Sequence, residues 1–226
     1  MNPEPSCEPV TLISTGRVRD LAPLALDDKG RLRVLPAEFW AQTTPIERYV
    51  FGQAHGIYGF PTTELVQHLK ELIGDRKAIE IGAGNGVLAD ALGITGTDNH
   101  MQKRAKYRDS VLAQGSQPVR YGRNVVERDA HEAVRRYKPD VVIACWVTHR
   151  YDPRRHWAGG NEIGIDEADV INHCGEYIHI GNEKVHENKL IWVLPHTTTY
   201  PDFVYSRAIN GTRDFIATWP GLKDAA

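Results

Sequence analysis

The chain has 226 residues and a formal charge of −2, long enough to bury a full core and too balanced for a protein whose main task is to neutralise phosphates. Its three cysteines, Cys7, Cys145 and Cys174, form no C-x-x-C pair, which argues against a disulfide framework or a zinc knuckle. No apolar run is long enough to span a bilayer and residues 1–9 lack a signal-peptide core, so no membrane partner and a cytoplasmic location are expected.

Residues 1–9 carry three prolines and read as a loose tail. In residues 10–34, short apolar stretches flank Asp27-Asp28-Lys29-Gly30, a turn signal that predicts a small hairpin. Residues 36–40 start a short helix. Thr44-Pro45-Ile46-Glu47 is a stronger start, with a Thr cap, Pro in the first turn and Glu three residues after the cap, and predicts a helix to about Gln53. Residues 51–60 mix glycines with aromatics, and 51–59 are expected to cover a site, offering Tyr49, His55 or Tyr58 to it. Residues 1–60 are thus an N-terminal extension, and residues 61–226 the main domain. That domain opens with Pro61-Thr62-Thr63 and an amphipathic helix carrying Leu65, Leu69, Leu72 and Ile73, closed by Gly74.

The stretch 78–92 then begins as a buried strand (Ala78, Ile79, Ile81), bends through Gly82, Gly84 and Gly86, and continues as a helix with Val87, Leu88, Ala91 and Leu92 on its apolar face. Residues 94–98 predict a second strand ending in Asp98, residues 124–130 a third ending in Asp129-Ala130, and residues 139–147 a fourth whose continuous apolar character suits burial on both faces. Residues 100–114 and 131–137 are expected as helices on the sheet. A polar and aromatic loop covers 148–164, and loops of that length are usually functional. A short helix is expected in 165–174, a fifth strand over 177–180 and another apolar run over 189–194. Near the end, 204–209 and 213–219 flank Asn210-Gly211 and predict a hairpin. The basic clusters at 103–108 and 150–155 read as solvated surface.

The strand–glycine turn–helix is a ligand-binding unit at the carboxyl edge of a parallel sheet. Its glycines do not fit G-x-G-x-x-G, since Val87 stands where the third glycine is needed, and no G-x-x-x-x-G-K-[ST] is present. Glu80 followed by Gly82, Gly84 and Gly86 resembles instead the first motif of class I S-adenosylmethionine-dependent methyltransferases, and the likeness extends over about residues 65–180. It implies a three-layer α/β fold: a mostly parallel Rossmann-like sheet with a C-terminal antiparallel strand or hairpin. It further implies S-adenosyl-L-methionine as cofactor, with Asp98 at the ribose and Asp129 and Ala130 at the adenine. Glu80, Gly82, Ala83, Gly84, Gly86, Asn99 and Trp146 complete the implied cofactor contacts.

Methyl transfer from a sulfonium needs alignment and, for some acceptors, a base. Trp146, Thr148, His149, Tyr151 and Asp152 follow the fourth strand, and Asn182, Glu183 and His186 follow the fifth. His149 is the candidate base, its ordinary pKa being near neutrality. Cys145 stands where cytosine-5 methyltransferases carry Pro-Cys, but Ala144 precedes it and core packing accounts for it. Ala144-Cys145-Trp146-Val147 also lacks the Asp/Asn-Pro-Pro-aromatic signature of amino-directed DNA enzymes. A small molecule or a side chain is therefore the expected acceptor, rather than nucleic acid. His173-Cys174 belongs to no set with ligand spacing, and no metal is expected. Two alternatives stay open: a non-catalytic or regulatory subunit that binds the same cofactor, and a nicotinamide-dependent enzyme, which the glycine spacing disfavours.

Overall fold

A computed structural model describes residues 18–223; the tail at 1–9, Cys7 and the first part of the hairpin expected over 10–34 lie outside them. Its core is a seven-stranded sheet. The strands, with β1 set apart at Gly59–Phe60, are β2 (Ala78–Ile81), β3 (Thr95–Asp98), β4 (Val125–Glu127), β5 (Val141–Cys145), β6 (Glu176–Asn182), β7 (Thr197–Thr199) and β9 (Asp214–Pro220), with β8 at Tyr205–Ser206. The sheet order is β4-β3-β2-β5-β6-β9-β7. Strands β4 to β6 run parallel, and β9 lies antiparallel between β6 and β7. The chain adds β3 and β4 on one side of β2 and β5 and β6 on the other, so the order reverses at β2/β5 and opens a crevice above their carboxyl ends.

Strand β5 shows why the sheet has two covered faces. Val141 and Ile143 enter one apolar cluster and Val142 and Ala144 the other, as a period of two requires. Helices α4 (Thr63–Ile73) and α5 (Val87–Leu92) cover the first face through Leu65, Leu69, Leu88 and Leu92. Helices α7 (Ala130–Tyr137) and α8 (Glu167–Ile171) cover the second through Ala133, Val134, Val170 and Ile171. This is the three-layer, mostly parallel Rossmann-like α/β fold, with an antiparallel strand near its C-terminal end.

Before the sheet come α1 (Ala22–Ala25), α2 (Ala37–Ala41) and α3 (Pro45–His55). The reciprocal cap between Thr44 and Glu47 forms as the sequence predicts, and α3 runs to His55 before Gly56 ends it in the left-handed region. These elements bury Leu21, Trp40, Phe51 and Phe60 in a third cluster, with Trp40 and Phe60 stacked at 4.3 Å. Strand β1 pairs with β8, Gly59 opposite Ser206 and Phe60 opposite Tyr205.

Two sequence expectations need correction. Asn210-Gly211 does not close a hairpin: β8 pairs with β1, and β9 pairs with β6 over seven residues. The Asn210 side chain instead donates to Asn182 Oδ1 and accepts from the Thr212 amide, so long-range pairing overrides the local turn signal. Helix α6 (Ala105–Ala113) has no buried residue and lies at the mouth of the crevice, not on the sheet. Within the apolar run at 189–194, residues 190–193 form a 3-10 turn. Of the hairpin expected over 10–34, the described part keeps one antiparallel bridge, Leu26 to Leu32. The short helix α9 (Glu183–His186) follows β6.

Candidate active site

Strand β2 delivers its chain into the glycine turn at the crevice. Gly84 has φ +52° and Gly86 φ +72°, a region that side chains disfavour. The two differ in what surrounds them. A Cβ on Gly86 would lie 2.6 Å from Val125 Cγ2, whereas one on Gly84 would meet only Val119 Cγ1, at 3.4 Å. Gly86 therefore lets the turn pack on β4, and Gly84 leaves open space beside the main chain.

Asp98, at the end of β3, fastens this turn. Its Oδ2 accepts from the Gly84 amide at 3.0 Å and its Oδ1 from the His100 amide at 2.8 Å. Burial raises its pKa against those two amides. Glu80, on the neighbouring β2, is 2% exposed, and its Oε2 has no hydrogen-bond partner. Burial first, and the nearby Asp98 charge in the same direction, push its pKa up to about 8. A buried carboxyl with a free oxygen is a site waiting for a donor or a cation.

Above these groups lies a cavity of about 380 Å³, within the range of small-ligand sites. Gly82, Ala83, Gly84, Asn85, Asp98 and Asn99 line one part, Arg128 and Ala130 the side toward β4, and Tyr58, Cys145, Trp146 and Thr148 the part over β5. Helix α6 supplies Tyr107 and Val111, and its C-cap residue Gln114 joins them. Gln102, 9% exposed, ties the walls together. Its Nε2 donates to Tyr58 Oη at 3.2 Å, its Oε1 accepts from the Val119 amide at 2.8 Å, and its own amide donates to Tyr121 Oη at 3.0 Å. Neither Gln102 nor the α6 residues carry a sequence signal, because their roles come from wall contacts between distant segments.

Eight of the ten expected cofactor residues line the cavity: Glu80, Gly82, Ala83, Gly84, Asp98, Asn99, Ala130 and Trp146. The other two serve next to it. Gly86 packs on β4, and the Asp129 carboxylate accepts from the His131 amide at 2.9 Å, capping α7. Of the cover residues, Tyr58 lines the cavity under the guanidinium of Arg207, 3.6 Å from its ring centroid. Tyr49 bonds Gln53 and His55 packs on Phe51. Cys145, half-buried, packs against the core cluster under β5 and also lines the cavity, and burial pushes its thiol pKa up, so it stays protonated.

The loop after β5 is a narrow ladder. The Ile165 amide donates to Thr148 O and the Arg150 amide to Ile165 O. His149 lines a second cavity of about 290 Å³ together with Asp152, Glu167 and Leu190, and Ile165 lines both cavities. Its Nε2 is buried without a partner, and burial, then the Lys189 charge, lowers its pKa. Beyond β6, Asn182 caps α9, Glu183 pairs with Arg213, and His186 is buried under Trp146 with its pKa pushed down to about 3. Among the described residues no group of three His, Cys, Asp or Glu side chains is arranged to hold a metal.

No family model matches the chain, and no curated protein does. Solved structures similar to it include precorrin 8w decarboxylase of Methanobacterium thermoautotrophicum, 14% identical over 70% of this chain and 90% of that one, with a TM-score of 0.38. Another is the Pyrococcus abyssi tRNA (uracil-54, C5)-methyltransferase in complex with S-adenosyl-L-homocysteine, 15% identical over 69% of this chain and 37% of that one, with a TM-score of 0.36. A third is the magnesium protoporphyrin IX methyltransferase of Synechocystis with bound SAM, 17% identical over 69% of this chain and 78% of that one, also with a TM-score of 0.36.

Proposed function

We propose that the protein is a methyltransferase that uses S-adenosyl-L-methionine on a small molecule or a side chain. The observation that carries this reading is the pair of carboxyls on adjacent strands beside an open glycine turn: Asp98 fixed to the Gly84 amide, and Glu80 with a buried oxygen left over. These residues match the chemistry of the cofactor. Asp98 suits the ribose hydroxyls through charge-assisted hydrogen bonds, and Glu80 suits the ammonium of the methionine moiety. Ala130 lines the side where the adenine would lie.

When bound, the cofactor supplies a methyl group already activated on sulfur. The chain's own residues then hold the acceptor in line and keep water out. Trp146 and Thr148 form the acceptor side over β5. His149, its pKa lowered by burial, lines the second cavity, which shares Ile165 with the first, and is the base only for an acceptor that reaches from the first cavity into the second.

Calorimetric titration with S-adenosylhomocysteine, and in parallel with NAD, tests the reading. Saturable binding of the first without the second supports it, and the reverse overturns it. Transfer of labelled methyl to fractionated small molecules or to protein side chains then separates a transferase from a binding subunit.

A further inference from the structure

Strand β5 ends in a backbone conformation that its residue does not favour. Trp146 has φ +59°, in the left-handed region where a bulky side chain is strained. Such strain persists only where the surroundings over-determine it, and it gathers at ligand sites. Several contacts impose it here. The Trp146 amide donates to Ile180 O at 2.9 Å. The indole meets His186 edge-on at 5.2 Å. The backbone of Gly59 runs so close that a Cβ there would lie 3.2 Å from Trp146 Cδ1. On the far side, the carbonyl of Val147 accepts from Lys189 Nζ at 3.0 Å.

Lys189 is out of place as a packing residue. Its side chain is 0% exposed, and its ammonium lies 2.7 Å from Glu167, itself 2% exposed. The other Glu167 oxygen accepts from Tyr177 Oη at 2.6 Å. A buried ion pair adds little net stability over apolar residues of the same volume, so stability alone is a weak reason for it. What this pair does is bring a full charge to the peptide carbonyl next to the strained residue.

We propose that Lys189 and Glu167 are positioning residues that clamp the end of β5, holding Trp146 in its left-handed conformation so that the indole forms the wall of the first cavity over β5. Neither lines that cavity, so the effect passes through Val147. Only the identity of the ligand rests on the methyltransferase reading; the clamp itself does not.

The test uses the full chain labelled with 5-fluorotryptophan, whose fluorine spectrum gives one resonance per tryptophan; Trp146→Phe assigns the one in question. The double variant Lys189→Met/Glu167→Gln removes the clamp without leaving a lone buried charge. The expected result is a shifted or doubled Trp146 resonance, with that of Trp40, in the N-terminal cluster, unchanged. Affinity for S-adenosylhomocysteine should fall about fivefold to a hundredfold, since binding must then restore the strained backbone. An unmoved Trp146 resonance overturns the proposal, as does unchanged affinity in a variant whose resonance has moved. Should the double variant lose the Trp40 resonance too, the second neutral pair Lys189→Leu/Glu167→Gln decides: a shifted Trp146 signal supports the clamp and an unshifted one overturns it. If the wild-type chain binds no S-adenosylhomocysteine, the methyltransferase reading fails while the resonance test still stands.

Discussion

Asp98 gives the sharpest test of the cofactor assignment, because its carboxylate has two separable duties. It accepts from the amides of Gly84 and His100, which shapes the turn, and in our reading it also accepts the two ribose hydroxyls. Asp98→Asn keeps the size and one acceptor oxygen but removes the charge. Hydrogen bonds to a charged group contribute about 1.5–3 kcal/mol, so S-adenosylhomocysteine should bind roughly tenfold to 150-fold more weakly. Isothermal titration of both proteins with S-adenosylhomocysteine and with its 2′,3′-dideoxy analogue forms a complete cycle. If the carboxylate reads the diol, the variant loses affinity for the natural ligand and little for the analogue. Equal losses for both ligands would mean that Asp98 acts only by shaping the glycine turn. Affinity within twofold of wild type would refute the assignment outright.

Three further outcomes are expected. Glu80 has a folded pKa of about 8 against an ordinary 4.5, so its contribution to stability is full below about 4.5 and is lost as pH rises through 8; thermal melts of Glu80→Gln should lose that decline, and a cationic ligand head beside Glu80 should release a proton on binding at pH 7, read by titration in buffers of different ionisation enthalpy. His149→Asn should lower turnover a hundredfold to ten-thousandfold on an acceptor that must be deprotonated, with cofactor affinity unchanged; a loss below threefold removes His149 from the mechanism. Thr62, fully buried, caps α4 through the Leu65 amide and donates to Phe203 O at 2.8 Å, so Thr62→Ala should cost about 2 kcal/mol in denaturant unfolding, and a change below 0.5 kcal/mol would contradict that double role.

Local chemistry made some of this legible in the sequence. The apolar run of β5, the cap at Thr44, the helix start at Pro61-Thr62-Thr63 and the glycines after Glu80 each act within a few residues, and each is present in the fold. What escaped reading depends on residues that meet only after folding. Asn210-Gly211 is a strong local turn, yet Asp214–Pro220 is drawn into the sheet by β6 across seven residue pairs. Helix α6 carries too few apolar residues to sit on a sheet, and its place at the cavity follows from the segment around Gln102. Lys189 within an apolar run gives no sign that its partner is Glu167, 22 positions earlier. Asp129 shows a different gap: an acid at a strand end can serve a ligand or cap the next helix, and at Asp129 the side chain does the second.

The pairing of β1 with β8 has a consequence for the order in which the chain can assemble. Gly59 and Tyr58, which help close the cavity, are fastened to the body by residues near 206. The edge strand β7 has no partner until the later β9 has slid in beside β6. A chain emerging from the ribosome can therefore complete the inner parallel strands early, but it cannot seal the site until residues up to about 220 are free. Such late, long-range closure is slow, because loop entropy must be overcome before the contacts repay it. Until then the polypeptide exposes an unpaired sheet edge and an open pocket, the state in which nascent chains most need shielding from one another.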